Sequence, residues 1–80
     1  MKLDVFEVSL LGADERGHFM TIVRVVSANE VEAETLARAS AALRDFAVTE
    51  INECQRTGEP VSPDYEFPRV LGHSERKYAH

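Results

Sequence analysis

The sequence predicts a small α+β domain in which a three-stranded antiparallel sheet carries one helix on a face. Two stretches rich in β-branched and aromatic residues flank a short loop bounded by glycines. An N-cap pattern then opens a helical stretch, and a third β-rich stretch follows. The chain has 80 residues, which is enough for one domain near the lower size limit for independent folding. The predicted order is β-β-α-β plus an irregular C-terminal tail, with residues 1–72 in the domain and 73–80 as a mobile tail.

The first two predicted strands are residues 3–11 (LDVFEVSLL) and 18–27 (HFMTIVRVVS), joined by the loop 12–17 (GADERG). They pair antiparallel, because the loop is too short for a parallel crossover. The two faces of the second strand are both mostly apolar: Phe19, Thr21, Val23 and Val25 on one, Met20, Ile22, Arg24 and Val26 on the other. This pattern is typical of a central strand covered on both sides. Arg24 is the exception, and it needs a carboxylate partner or an exit to water.

A helix is predicted to begin near SAN, residues 27–29, and to end near residue 44. Asn29 with Glu32, or Ser27 with Glu30, matches the two positions of a capping box. Acidic residues crowd the first turns, where the helix dipole favours negative charge. Apolar periodicity predicts an inward face of Val31, Thr35, Leu36, Ala39, Ala42 and Leu43, while Ala33, Ala37 and Ala41 point away.

The third predicted strand is residues 45–55 (DFAVTEINECQ). Phe46 and Val48 stand at alternate positions, but Ile51 is out of phase. A bulge near Thr49–Glu50 or an early end of the strand would explain the shift.

The tail segment 64–72 (DYEFPRVLG) has apolar residues at nearly alternate positions. It is predicted to pack on the domain as an irregular edge strand, because Pro68 cannot donate a ladder hydrogen bond. One helix covers only one face of the sheet, so the second face needs another cover. The tail aromatics Tyr65 and Phe67, or a second copy of the chain, are the candidates, and a homodimer is the preferred one.

The net charge of −5 is unevenly distributed, with −7 over residues 1–68 and +2 over residues 69–80. An acidic body argues against direct binding to a nucleic-acid backbone, because such binding depends on Lys and Arg. The Arg76–Lys77 pair alone is a weak basic signal. An acidic body fits a basic surface on a partner protein, or simply keeps a small domain soluble.

The single cysteine, Cys54, lies in VTEINECQRT, residues 48–57. A nucleophilic cysteine needs a base and an environment that favours the thiolate, whereas Glu50 and Glu53 would raise the thiol pKa. Two structural alternatives stay open. Cys54 is either a buried inert thiol or an exposed thiol that forms an intermolecular disulfide between two copies.

The histidines are His18, His73 and His80, and their spacing with Cys54 does not match a zinc site. No metal and no cofactor is therefore predicted. The absence of a disulfide framework, of an N-terminal leader pattern and of a long apolar run favours the cytoplasm, with no membrane contact.

The run VRVVSANEVEAETLARASAAL, the length and the acidic body resemble those of phage-encoded anti-CRISPR proteins over residues 1–55. The resemblance implies a non-enzymatic inhibitor in the cytoplasm of the bacterial host. Such a protein would bind a type I CRISPR surveillance complex (Cascade) and block target DNA binding without touching nucleic acid itself.

Anti-CRISPR proteins share no common motif, so the contact candidates come from the acidic surface alone. They are Asp14, Glu15, Glu30, Glu32, Glu34, Glu50 and Glu53. Two alternatives remain: a small phage structural or assembly subunit acting as a homodimer, and a cysteine-dependent enzyme.

Overall fold

The computed structural model describes residues 2–79 as five strands and one helix. The elements are β1 (Asp4–Asp14), β2 (Gly17–Ser27), α1 (Glu30–Leu43), β3 (Ala47–Arg56), β4 (Arg69–His73) and β5 (Lys77–Tyr78). The strands form one antiparallel sheet in the order β3-β1-β2-β4, and β5 also pairs with β2. The predicted α+β class is confirmed, but the sheet has five strands rather than three.

The β1–β2 hairpin is the central unit of the sheet. Its register is unbroken from Asp4 opposite Ser27 to Asp14 opposite Gly17. The turn is Glu15–Arg16 alone, so the predicted loop 12–17 is too long. The Asp14 carboxylate accepts a hydrogen bond from the Arg16 amide (2.8 Å), and Gly17 adopts a φ of 122°. These two features make a two-residue turn possible, and both strands extend to it.

The hydrophobic core lies between the sheet and α1. Alternate residues of the two central strands face the helix and are almost fully buried: Phe6, Val8 and Leu10 of β1, and Phe19, Thr21, Val23 and Val25 of β2. Phe46, just before β3, closes one end of this core and packs edge-on against Phe19, with ring centroids 4.9 Å apart.

The helix begins at the capping box formed by Asn29 and Glu32. The Asn29 side chain accepts a hydrogen bond from the Glu32 amide (2.8 Å), and the Glu32 carboxylate accepts one from the Ala28 amide (2.9 Å). This confirms the first of the two predicted pairs. Ser27 is fully buried instead, and its hydroxyl donates to the Asn29 carbonyl.

The buried face of α1 is the one that apolar periodicity placed outward. Ala33, Ala37 and Ala41 are fully buried, whereas Val31 and Leu43 are 72% and 89% exposed. The predicted inward face is therefore wrong apart from Leu36, which packs against the core. The reason is steric: large side chains from the sheet already fill the space between the layers, so the helix presents its smallest residues to them.

Strand β3 contains two irregularities. Its register against β1 shifts between Glu50 and Val48 and again between Glu53 and Ile51, which leaves Thr49 and Asn52 as extra residues. The predicted bulge near Thr49–Glu50 is confirmed, and Asn52 is a second one. Each bulge restores the phase that brings Val48, Ile51 and Cys54 to the helix side.

The connection 57–68 carries the chain from β3, at one edge of the sheet, to β4 at the other. It starts beside β1, where the Thr57 amide donates to the Val5 carbonyl (3.0 Å). Arg24, on the face opposite α1, binds the carboxylates of both Glu7 and Glu59. The connection thus crosses one end of that face, and Arg24 has the carboxylate partners that its position required.

The C-terminal residues add strands to the β2 edge of the sheet. Arg69 and Val70 pair with Val26 and Val25, and the register then shifts at Leu71, so the expected irregular edge strand forms after Pro68. Beyond it, Ser74 binds Ile22 and Thr21 through its side chain and carbonyl. Residues 73–79 therefore lie against β2, although the sequence suggested a separate tail; residue 80 is outside the described residues.

Gly12 provides a test of packing at the hairpin end of the core. The sequence suggested a hairpin glycine, but Gly12 lies within β1, where an added Cβ would be 2.9 Å from Phe46 Cδ2 and 3.0 Å from the Ala47 carbonyl oxygen. We expect Gly12→Ala to lower the free energy of unfolding by about 1–3 kcal/mol, because the backbone oxygen cannot move away freely. The measurement is urea unfolding. Gly72→Ala is the matched control, since a Cβ there meets nothing within 4 Å. Equal effects of the two substitutions would contradict this account.

His73 provides a test of how β4 is held to the helix. Its Nε2 lies 2.5 Å from the Ser40 hydroxyl, and burial, Arg44 and Arg76 lower the pKa of this imidazole. The folded state therefore favours neutral His73. Stability from this site is present above the ordinary pKa, about 6.5, and is lost as the pH falls below it. Urea unfolding from pH 8 to 5 should show the wild type losing its advantage over His73→Gln. Parallel profiles would rule out a contribution from His73.

Candidate interaction surface

The seven predicted contact carboxylates do not lie on one surface. Two of them are engaged within the fold. Glu32 caps α1, as described above. Asp14 accepts hydrogen bonds from the Tyr78 hydroxyl (2.5 Å) and the Arg16 amide, and it forms an ion pair with Arg76. The Tyr78 hydrogen bond is the main reason that the pKa of Asp14 lies below its usual value. Glu15 is exposed in the hairpin turn.

Four of the carboxylates gather around β3, and we call them the acidic ridge: Glu30, Glu34, Glu50 and Glu53. Glu50 and Glu53 are exposed on the sheet face opposite α1, where they stand beside Leu11 and Ser9 of β1. Glu30 and Glu34 belong to the first two turns of α1. In the part of the chain that the structure describes, none of the four forms an ion pair.

Cys54 lies on the helix side of β3, between the sheet and the start of α1. Its Sγ is 4.0 Å from the Glu30 carbonyl oxygen, and the side chain is half-buried. Burial, followed by the charges of Glu34 and Glu30, raises the pKa of the thiol to about 11. The direction agrees with the sequence argument, but the responsible carboxylates are on the helix rather than on β3. A thiol with this pKa is a poor nucleophile at neutral pH.

Among residues 2–79, only β1 pairs with β3, so the outer edge of β3 has no strand partner there. Exposed edges of this kind can pair with another strand, and proteins protect them with bulges and charges. β3 has both, in the bulges at Thr49 and Asn52 and in the exposed Glu50 and Glu53. The ridge therefore discourages edge-to-edge pairing while leaving its carboxylates free for a cationic partner.

The sheet face opposite α1 is only partly covered, and we call it the open face. At the end crossed by the connection 57–68, Val5 and Val26 are buried. Toward the hairpin turn, Leu11, Met20 and Ile22 are only half-buried. The sequence correctly indicated that this face is apolar. The C-terminal strands β4 and β5 pair with β2 at the sheet edge, and these three side chains remain half-exposed.

Arg76 and Tyr78 fold back onto the hairpin turn. The Arg76 guanidinium lies 4.8 Å from the ring centroids of both Phe19 and Phe46, besides its ion pair with Asp14. Asp14 and Arg76 are 62 positions apart in the sequence, so their spacing did not predict this cluster. Arg76 is thus bound internally, whereas the adjacent Lys77 is exposed next to Met20. The Arg76–Lys77 pair does not form one basic patch.

Within residues 2–79, no group of three or more His, Cys, Asp or Glu side chains is arranged to hold a metal ion. In the same range, no helix has the length and apolarity needed to cross a membrane. Comparison of the chain with protein-family models, with curated proteins and with solved structures found no match.

The environment of Cys54 is testable by alkylation. We expect iodoacetamide to react with the native thiol at pH 7 about 100-fold more slowly than with the urea-unfolded chain, because a pKa near 11 leaves about 100-fold less thiolate. Glu34→Gln should speed the native reaction by removing a nearby negative charge. Glu66→Gln, in the exposed part of the 57–68 connection, is the control. A native rate equal to the unfolded rate would contradict the assigned environment.

Proposed function

We propose that this chain is a non-enzymatic inhibitor that binds a basic protein surface through the acidic ridge. The observation that carries the proposal is the concentration of four carboxylates without ion-pair partners, within the described chain, on both sides of one edge strand. Such a grouping attracts a cationic surface and is repelled by nucleic acid.

The resemblance to anti-CRISPR proteins supplies the particular target. We propose that the ridge binds a type I CRISPR surveillance complex, Cascade, in the cytoplasm of the bacterial host. DNA-binding grooves in such complexes carry Lys and Arg, which are the groups that the ridge would attract. The inhibitor then occupies the path of the target DNA and prevents its binding by steric and electrostatic exclusion.

Cysteine-dependent catalysis receives less support. The raised pKa of Cys54 disfavours the thiolate that such a reaction needs. The second candidate, a small phage structural or assembly subunit acting as a homodimer, is favoured by the open face with its half-buried Leu11, Met20 and Ile22.

The test of inhibition is competition with target DNA for a purified type I complex. We expect the wild-type chain to reduce DNA binding, and the double variant Glu34→Lys/Glu53→Lys to need at least about tenfold more protein for the same effect. The two substitutions lie on opposite sides of β3. Inhibition should also weaken as salt is raised, because screening reduces the attraction between exposed charges.

The control is Glu66→Lys/Glu75→Lys, which changes the net charge equally but away from the ridge. Circular dichroism should confirm that both double variants are folded. Undiminished DNA binding at saturating wild-type protein would overturn the inhibitor proposal. An equal loss of potency in the two double variants would instead assign the effect to overall charge and reject the ridge.

A further inference from the structure

The strand register arranges the open face in rows that cross the sheet. Leu11 of β1 stands opposite Glu50 of β3 on one side and Met20 of β2 on the other, and Met20 stands opposite Lys77 of β5. Paired residues in adjacent strands project from the same face. The row therefore runs from acidic Glu50 through apolar Leu11 and Met20 to basic Lys77, and both charged residues are exposed.

A parallel row lies four residues along the hairpin, toward the connection 57–68. Glu7 of β1 stands opposite Arg24 of β2 and forms an ion pair with it at 3.0 Å. Between the two rows, Ser9 faces Ile22, with Glu53 on the β3 side of Ser9. Glu7, Glu50 and Glu53 thus stand on the β3–β1 half of the open face. Lys77 stands on the β2–β5 half, where Arg24 is already neutralised by Glu7 and Glu59.

We propose that the open face binds a second copy of the chain, with a two-fold axis that runs parallel to the strands between β1 and β2. This rotation places each row of one copy over the same row of the other copy, with the order of its residues reversed. Glu50 then faces Lys77 of the second copy, and Leu11 faces Met20 of the second copy. The apolar centre becomes covered, and each charged end meets its opposite.

Charge complementarity favours a second copy over an unrelated partner. A uniformly basic surface would meet Lys77, and a uniformly acidic one would meet Glu50 and Glu53. The chain itself supplies a row of reversed polarity. The inference deepens the second candidate function, the homodimer. Glu50 and Glu53 of the acidic ridge lie at its interface, whereas Glu30 and Glu34 lie on the helix side and stay accessible to another partner.

The interface is small. The face is four strands wide, at about 4.8 Å per strand, and about six residues long, at about 3.3 Å per residue. Its area is therefore roughly 400 Å² per copy, which is at or below the lower limit of specific interfaces. We therefore expect a weak dimer with a Kd of about 10–500 µM. Cys54 lies on the helix side of the sheet, away from this interface. The dimer should consequently be insensitive to reductant.

Sedimentation velocity on the whole chain from about 5 µM to about 1 mM tests the proposal across that Kd range. Glu50→Lys and Lys77→Glu should each weaken dimerisation at least about tenfold, because each creates like-charge contacts at both ends of the row. The double variant Glu50→Lys/Lys77→Glu reverses the row but keeps it self-complementary. It should restore dimerisation to within about threefold of the wild type.

Glu66→Lys serves as the control for net charge, and circular dichroism verifies folding of every variant. Ile22→Glu provides an independent test of the apolar centre, and it should leave a folded monomer. A wild type that remains monomeric at the highest concentration would overturn the proposal. So would failure of the double variant to regain association, or a dimer that disappears on reduction.

Discussion

The helix α1 packs closely against the β1–β2 hairpin because its buried face consists of the small residues Ala33, Ala37 and Ala41. The rest of the molecule is arranged around this close contact. Apart from Phe46, the large buried core side chains come from the sheet, chiefly Phe6, Leu10 and Phe19. With the helix so near, its first turns reach β3 and its later turns reach β4. The raised pKa of Cys54 beside Glu34 and the contact of Ser40 with His73 both follow from that proximity. One helix can cover only one face, so the same contact leaves the other face open.

The C-terminal segment extends the sheet at its β2 edge. Arg76 crosses the end of the core, where it lies over Phe19 and Phe46 and pairs with Asp14. A guanidinium suits this position, because its flat surface stacks on aromatic rings while its edge still donates hydrogen bonds. Arg76 thereby covers the aromatic end of the core, and Asp14 neutralises its charge. Lys77, unlike Arg76, stays exposed beside the apolar residues of the open face.

The acidic residues have different roles despite their similar chemistry. Glu32 and Asp14 bind backbone amides and hold a helix start and a turn in place. Glu7 and Glu59 neutralise Arg24. Among the carboxylates left without such a role, the four of the acidic ridge are concentrated at one edge strand, so that this side of the molecule is the more negative one. Net charge alone does not reveal this division, because it counts capping and ion-paired carboxylates together with free ones.

The sequence by itself determined the α+β class, the hairpin, the Asn29–Glu32 cap, the bulge near Thr49 and the need of Arg24 for a carboxylate. Each depends on local backbone chemistry or on the two-residue alternation of a strand. Only the tertiary structure decided which face of α1 is buried, since the volume already filled by the sheet selects alanines over Val31 and Leu43. Tertiary structure also decided the extra strands of the tail, whose partners in β2 are about 50 positions away. The acidic ridge and the charged rows arise in the same way, because strand register brings together residues that no sequence spacing connects.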